Sequence, residues 1–389
     1  MSYSCFSHAL NLSLARSSSV QCVRNSVGTI KDVVSFFNAS AKRNSILKRI
    51  AGKQLQSLCE TRWVERHDAI LLFCSELAAI VKALTAITNW TESASASKAS
   101  TLKLALCSCE FIVAVFCLSD VLSLTLGLST KLQTVGIDFF AAKTAVIDVI
   151  AVLTKRREAF DNFDSIFASA CHMMEMLDVL DTQPRITKSQ RNRPNPPAAT
   201  PNEFYRRTVY LPLLDAITTD LRSRFSDDIL AKLDALTYFI PSSVIRPDRF
   251  DTSELYAQYK ACLREPASEL QFKGELDLWK QKWLRLNSQN PSPVIPNTAA
   301  AGLAACDRET FPMIHSLLTI LLCMPVSTAS AERSFSTLRR LKTWLRSRMG
   351  QERLLGLALL NVHRDISVSV DQVIDRFSNS KRRHTDFVV

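Results

Sequence analysis

Apolar positions recur at helical spacing along most of the chain. In DVVSFFNASAKRNSILKRI, Val33, Phe36, Phe37, Ile46, Leu47 and Ile50 return at roughly three- and four-residue intervals. Beyond Trp63 the same period predicts helical segments over about 64–88, 100–127, 129–155, 157–180, 203–224 and 227–238. Asp164 and Asp228 fit as early-turn acids, and Ser226 as an N-cap. The most apolar run, LALCSCEFIVAVFCLSDVLSLTLGL, is interrupted by Glu110 and Asp120. A membrane span needs about 20 mostly apolar residues free of such charges, so this run predicts a buried core helix. CDRETFPMIHSLLTILLCMP predicts another, with Asp307 as its cap, Pro312 near its first turn and Pro325 as its stop. Trp279 and Trp283 share one helical face and read as core. His172, His315 and His363 sit in apolar runs and read as core histidines.

Two stretches break the pattern. DTQPRITKSQRNRPNPPAATPNE (181–203) is rich in proline and basic side chains and poor in apolar ones. It cannot bury enough surface to offset its ordering entropy and predicts an exposed, disordered loop. NSQNPSPVIPNTA (287–299) is a second proline-marked break.

Composition narrows the class. With 47% hydrophobic residues in 389, most of the chain is excluded from disorder. Eight glycines against 20 phenylalanines favour helices joined by short loops over a glycine-rich sandwich. A net charge of +11 fits either a polyanionic partner such as nucleic acid or plain solubility. The 11 cysteines follow no regular framework and include no C-x-x-C pair, which points to reduced intracellular thiols rather than a zinc module. No basic n-region precedes an apolar core at the N-terminus, so secretion is not expected. The tail KRRHTD (381–386) reads as a nuclear-localisation patch or a solvated terminus.

The densest chemistry lies in PVSTASAERSFSTLRRLKTW. Phe335, Leu338, Leu341 and Leu345 form one apolar stripe, and Arg339, Arg340, Lys342, Arg346 and Arg348 occupy the rest of an amphipathic helix. Its basic face is either solvated or placed to contact phosphates. In the following QERLLGLALLNVHRDI, Leu354, Leu355, Leu357, Leu359, Leu360 and Val362 surround the helix. A helix apolar all round must be covered, by its own domain or by a second subunit. Glu332 has Ala329 where a capping box needs Ser or Thr. Phe335 and Ser336 stand where a helical salt bridge needs a base. A first-turn acid favoured by the macrodipole and an inherited metal ligand remain as its two readings.

Together these residues resemble the hAT superfamily of transposases and their domesticated relatives. PVSTASAERSFS (325–336), LRRLKTWLRS (338–347) and ERLLGLALLNVH (352–363) are similar to that family's C-terminal dimerisation region. CFSHALNL (5–12), TRW (61–63) and ELDLWKQKW (275–283) extend the likeness upstream. The resemblance implies a mainly α chain, made of the C-terminal portion of a ribonuclease-H-like α/β core interrupted by a large all-α insertion. In these terms residues 1–63 are the core remnant, 64–300 the insertion with loop 181–203, 301–370 the dimerisation region and 371–389 a basic tail.

Active members hold divalent metals with two aspartates and a glutamate. Glu332 matches that glutamate, Arg62 and Trp63 match a motif implicated in the DNA hairpin step, and Cys5 and His8 match the C-x-x-H pair that follows the second aspartate. Only four residues precede Cys5, so both aspartates are expected to be missing and Glu332 to be vestigial. One glutamate cannot hold two metals on the attacking and leaving oxygens. No enzyme activity or cofactor is expected, with Mg²⁺ binding only if another chain supplied the aspartates.

The resemblance therefore implies a catalytically inactive, transposase-derived protein that dimerises through Phe335, Leu338, Leu354, Leu355, Leu357, Leu359 and Leu360. Its partners would be a second copy or a related transposase chain, in the nucleus or otherwise the cytoplasm, with no membrane. Two alternatives stay open. One is a non-sequence-specific DNA-binding module using the basic helix 333–348 with Arg62, Trp63, Arg339, Arg340, Lys342 and Arg346. The other is a residual transposase fragment.

Overall fold

A computed structural model describes residues 6–56, 58, 63–132, 139–184, 196–226, 231, 234–246, 250–263, 268–289, 294–323, 335, 338–339, 341–342, 349–364 and 366–379. The chain divides into two compact units, Met1–Ser327 and Thr328–Val389. The first contains α1 (Phe6–Ala15), α2 (Gln21–Asn38), α3 (Ala41–Ala51), α4 (Trp63–Ser75), α5 (Leu77–Thr88), α6 (Ser93–Leu106), α7 (Cys109–Leu132), α8 (Phe139–Glu158) and α9 (Phe160–Met176). It continues with α10 (Pro201–Tyr205), one turn of π-helix (Arg206–Tyr210), α11 (Leu211–Arg224), α12 (Pro241–Val244) and α13 (Thr252–Tyr259). The long α14 (Glu269–Gln289), the short α15 (Ala299–Ala304) and α16 (Pro312–Cys323) complete it. The second unit contains α17 (Gln351–Val362) and α18 (Val370–Ser378).

The protein is mainly α, and no strand occurs among the described residues. The remnant of an α/β core expected over 1–63 is not seen. Residues 6–51 form α1, a 3-10 turn (Arg16–Ser19), α2 and α3. Here the helical period outweighs the resemblance, because Val23, Val27, Ile30, Val33, Val34 and Phe37 of α2 are buried along one stripe.

α7 is the centre of the first unit. It packs against α1, α2, α4, α6, α8 and α9, which is why it is apolar on nearly every side. Ile112, Val113, Ala114, Val115 and Cys117 are fully buried. By length and apolarity alone α7 could cross a membrane, yet it is largely enclosed by protein. Asp120, which interrupts the apolar run, is neutralised in place. Its carboxylate receives Arg156 from α8 at 2.5 Å and the Tyr210 hydroxyl at 3.2 Å. Tyr210 Oη in turn accepts from Asn162 Nδ2 at 2.6 Å. A polar network thus ties α7, α8, α9 and the π turn together.

Two predicted helices are each divided. The 100–127 segment is α6 and α7, because the Ser108 hydroxyl accepts the Phe111 N–H at 3.3 Å and starts a second helix. The 64–88 segment is α4 and α5, with a 71° bend at Glu76. The 181–203 stretch is pinned at both ends. Tyr205 Oη donates to Thr182 O at 3.1 Å, Gln183 Nε2 donates to Ala198 O at 3.4 Å, and Thr200 caps α10 through the Glu203 N–H at 3.2 Å. Residues 185–195 lie outside the described residues, as do Asp228 and Pro325.

Cys74, Cys109, Cys117 and Cys306 are buried free thiols. Burial raises the thiols of Cys74 and Cys117 above the usual value and pushes Cys306 up to about 11. His172 and His363 are exposed and His315 is half-buried, so the core reading fails for the first two. His67 is the fully buried histidine among the described residues, with Nε2 3.0 Å from Thr125 Oγ1 on α7.

Gly302 on α15 faces Pro241 of α12, and a Cβ there would lie 2.9 Å from Pro241 Cδ. Gly302→Ala should destabilise the first unit by about 1–2 kcal/mol through overpacking. A fall in the denaturant midpoint at unchanged slope would register it.

Candidate functional site

The upstream segment ELDLWKQKW (275–283) lies on α14 of the first unit. Trp279 and Trp283 on α14 stack edge-to-face at 5.4 Å, and Phe311 meets Trp279 at 5.0 Å. Trp279 Nε1 donates to Phe239 O at 3.0 Å, and Lys282 Nζ donates to Ala305 O at 2.9 Å while lying over all three rings. Glu275, one helical turn before Trp279, accepts the Ile314 N–H at 2.8 Å. That N–H belongs to the first turn of α16, where the helix itself supplies no acceptor. Asp307 caps the preceding turn through the Thr310 N–H at 3.0 Å, and α16 then opens on Pro312. The Thr310 hydroxyl holds the Asp307 carboxyl below the usual carboxylate value. These contacts bury Ile314, Leu317, Leu318 and Leu321 of α16 in the first unit.

The second unit is built differently. α17 starts at Gly350, whose carbonyl accepts the Leu354 N–H at 3.1 Å, and ends where the His363 N–H donates to Leu359 O at 2.9 Å. Leu355, Leu359, Leu360 and Val362 keep 50–62% of their surface exposed. Leu354 and Leu357 are half-buried, and no residue of α17 is fully buried. Phe335 and Leu338 are also exposed. The sequence requires this apolar helix to be covered, and none of its residues is fully buried. Fully burying one leucine contributes about 1.5–3 kcal/mol, so the uncovered set is a substantial unspent driving force for association.

The basic candidates fare less evenly. Arg339 and Lys342 are exposed, and the Lys342 N–H donates to Leu338 O at 2.7 Å, giving one helical turn. Glu332, Arg340, Arg346, Arg62 and Cys5 lie outside the described residues, as does the tail 381–386. Trp63 opens α4, with its side chain outside them too, and His8 is exposed on α1. Among the described residues no three His, Cys, Asp or Glu side chains converge as a metal site would require.

One feature of the first unit carried no signal in the sequence. A cavity of about 380 Å³ opens between the start of α2 and α10, lined in part by Cys22, Arg24, Asn25, Glu110 and Tyr205. Cys22 Sγ donates to Glu110 O at 3.4 Å across it. Its residues come from four distant parts of the chain.

Residues 303–366 match the family model described as the hAT family C-terminal dimerisation region. That span covers both α16, in the core of the first unit, and α17, on the surface of the second. The chain is 29% identical over 390 residues to a human protein named 52 kDa repressor of the inhibitor of the protein kinase, an alignment covering 96% of this chain and 50% of that protein. The mouse protein of the same name is 29% identical over 392 residues, with the same coverage. The chain spans about half the length of these relatives.

Proposed function

We propose that this chain, whose residues 303–366 carry an hAT-family C-terminal dimerisation region, is a transposase-derived, non-enzymatic protein that self-associates through α17. The observation that carries the proposal is the helix itself: apolar on every side, within the matched region, and with no fully buried residue in the single chain. The names of the human and mouse relatives, both repressors, support the non-enzymatic half of the reading.

The test is a charge placed on the exposed face. Leu360 is 62% exposed, so Leu360→Asp leaves the fold of one chain intact while placing a carboxylate in the interface. Sedimentation velocity across a dilution series should show wild type associating at micromolar concentration and the variant dissociating at least tenfold more readily. An unchanged dissociation constant would remove α17 from the interface.

Exposure of Arg339 and Lys342 favours a second reading, contact with a nucleic-acid backbone. Retention on DNA at low salt that falls steeply as salt rises would support it. Salt-independent retention, or none, would end it.

A further inference from the structure

We infer that the association surface continues past the matched region into α18, and that its occupant is the same surface of a second copy of this chain. The inference rests on the self-association reading and adds a specific element to it. α18 (Val370–Ser378) is capped by Ser369, whose hydroxyl accepts the Gln372 N–H at 3.4 Å. Val370, Val373, Ile374 and Phe377 stand at helical spacing on one side, with Asp371, Gln372, Asp375 and Arg376 around the rest. No residue of α18 is fully buried, and Val370 and Val373 keep 69% and 53% of their surface exposed. A nine-residue helix so divided between apolar and polar sides has little reason to form in water unless its apolar side is covered.

Area argues for the extension. α17 has 12 residues and is about 18 Å long, so one side of it presents only roughly 300 Å². A stable interface buries about 800 Å² per partner. α17 alone falls short, and α18 is the next helix along the chain with exposed apolar residues. The connection between them adds Ile366 and Val368, 60% and 55% exposed, so exposed apolar residues continue along the chain from the end of the matched region into α18. Charge fits a second copy as well. α18 presents Asp371 and Asp375, whereas the exposed cations Arg339 and Lys342 belong to the same unit. In a two-fold interface each copy can offer both signs to the other.

The experiment compares the full wild-type chain with Val370→Asp/Val373→Asp and with Leu360→Asp by sedimentation velocity and thermal melting. An acid in the first turn of a helix is favourable, so the double variant keeps α18 helical. The inference expects its dissociation constant to be at least tenfold weaker than wild type, with an unchanged melting temperature at dilutions where both are monomeric. It also expects amides 370–378 to exchange more slowly with deuterium as wild-type concentration rises. A wild-type dimer that the double variant does not weaken overturns the inference, while the effect of Leu360→Asp keeps the α17 reading standing. A lower melting temperature with unchanged association overturns it too, because α18 would then be covered by its own chain. Wild type that stays monomeric at every concentration removes both.

Discussion

Trp279→Ala lowers the unfolding free energy of the first unit by about 4 kcal/mol, the upper range for removal of a buried aromatic side chain. Trp279 is fully buried and touches two other rings, so its loss opens a cavity that Trp283 and Phe311 cannot both fill. The Phe239 carbonyl loses its indole donor at the same time, and a buried acceptor left unpaired costs a further 1–3 kcal/mol or so. For a unit of this size the packing loss alone shifts the melting midpoint down by about 6 °C. Trp279→Phe separates the two contributions. It retains most ring packing but not the donor, and should cost about 1–2 kcal/mol. If alanine and phenylalanine behaved alike, the packing account of this cluster would be wrong.

Glu275→Ala destabilises the same unit by about 2 kcal/mol, because the Ile314 N–H at the start of α16 then has no acceptor. Glu275→Gln costs less than about 1 kcal/mol, since an amide oxygen can accept the same N–H without a buried charge. The pair also separates by pH. Burial raises the Glu275 carboxyl above its usual value, against the opposing hydrogen bonds from Ile314 and Met313. A carboxyl raised in the folded state binds its proton more tightly there than in the unfolded chain. Its contribution is therefore fully present below the unfolded value and is lost as pH rises through the folded one. Wild type should gain on Glu275→Gln as pH falls from 7 towards 4, and a difference in melting temperature that stays constant across that range would contradict the assignment.

Much of the architecture was legible because burial imposes periodicity. The apolar run around Val113 had to be enclosed whatever enclosed it, and Trp279 with Trp283 could share only one face. Asp307, read as the cap of this helix, caps the turn before it instead, and α16 opens on Pro312, where proline suits the first turn. Other features depend on partners far away in the chain. Glu275 caps a helix 39 residues further on, a distance at which no spacing rule operates. Ser108 divides a continuous apolar pattern with one hydroxyl, which hydrophobicity does not register. His172 and His363 read as core residues from their apolar neighbours, but a helix in an apolar run still has an outer side.

The candidate surface shows the same limit from the other direction. Leu355, Leu359 and Leu360 announce that α17 must be covered, and nothing in the local pattern tells a subunit interface from an intrachain core. The expected α/β remnant came from resemblance alone, whereas the helical period of Val33, Phe36, Phe37, Ile46, Leu47 and Ile50 points to the helices that residues 33–50 form. The matched region adds a further distinction. Its α16 is held in the core of the first unit by Glu275 and the Trp279 cluster, whereas its α17 has no fully buried residue.

Light scattering of the full wild-type chain, followed through a dilution series from about 50 µM downwards, addresses self-association most directly. The account predicts a mass of twice 43.5 kDa at the top of the series, falling towards 43.5 kDa on dilution. A mass of 43.5 kDa at every concentration would contradict it.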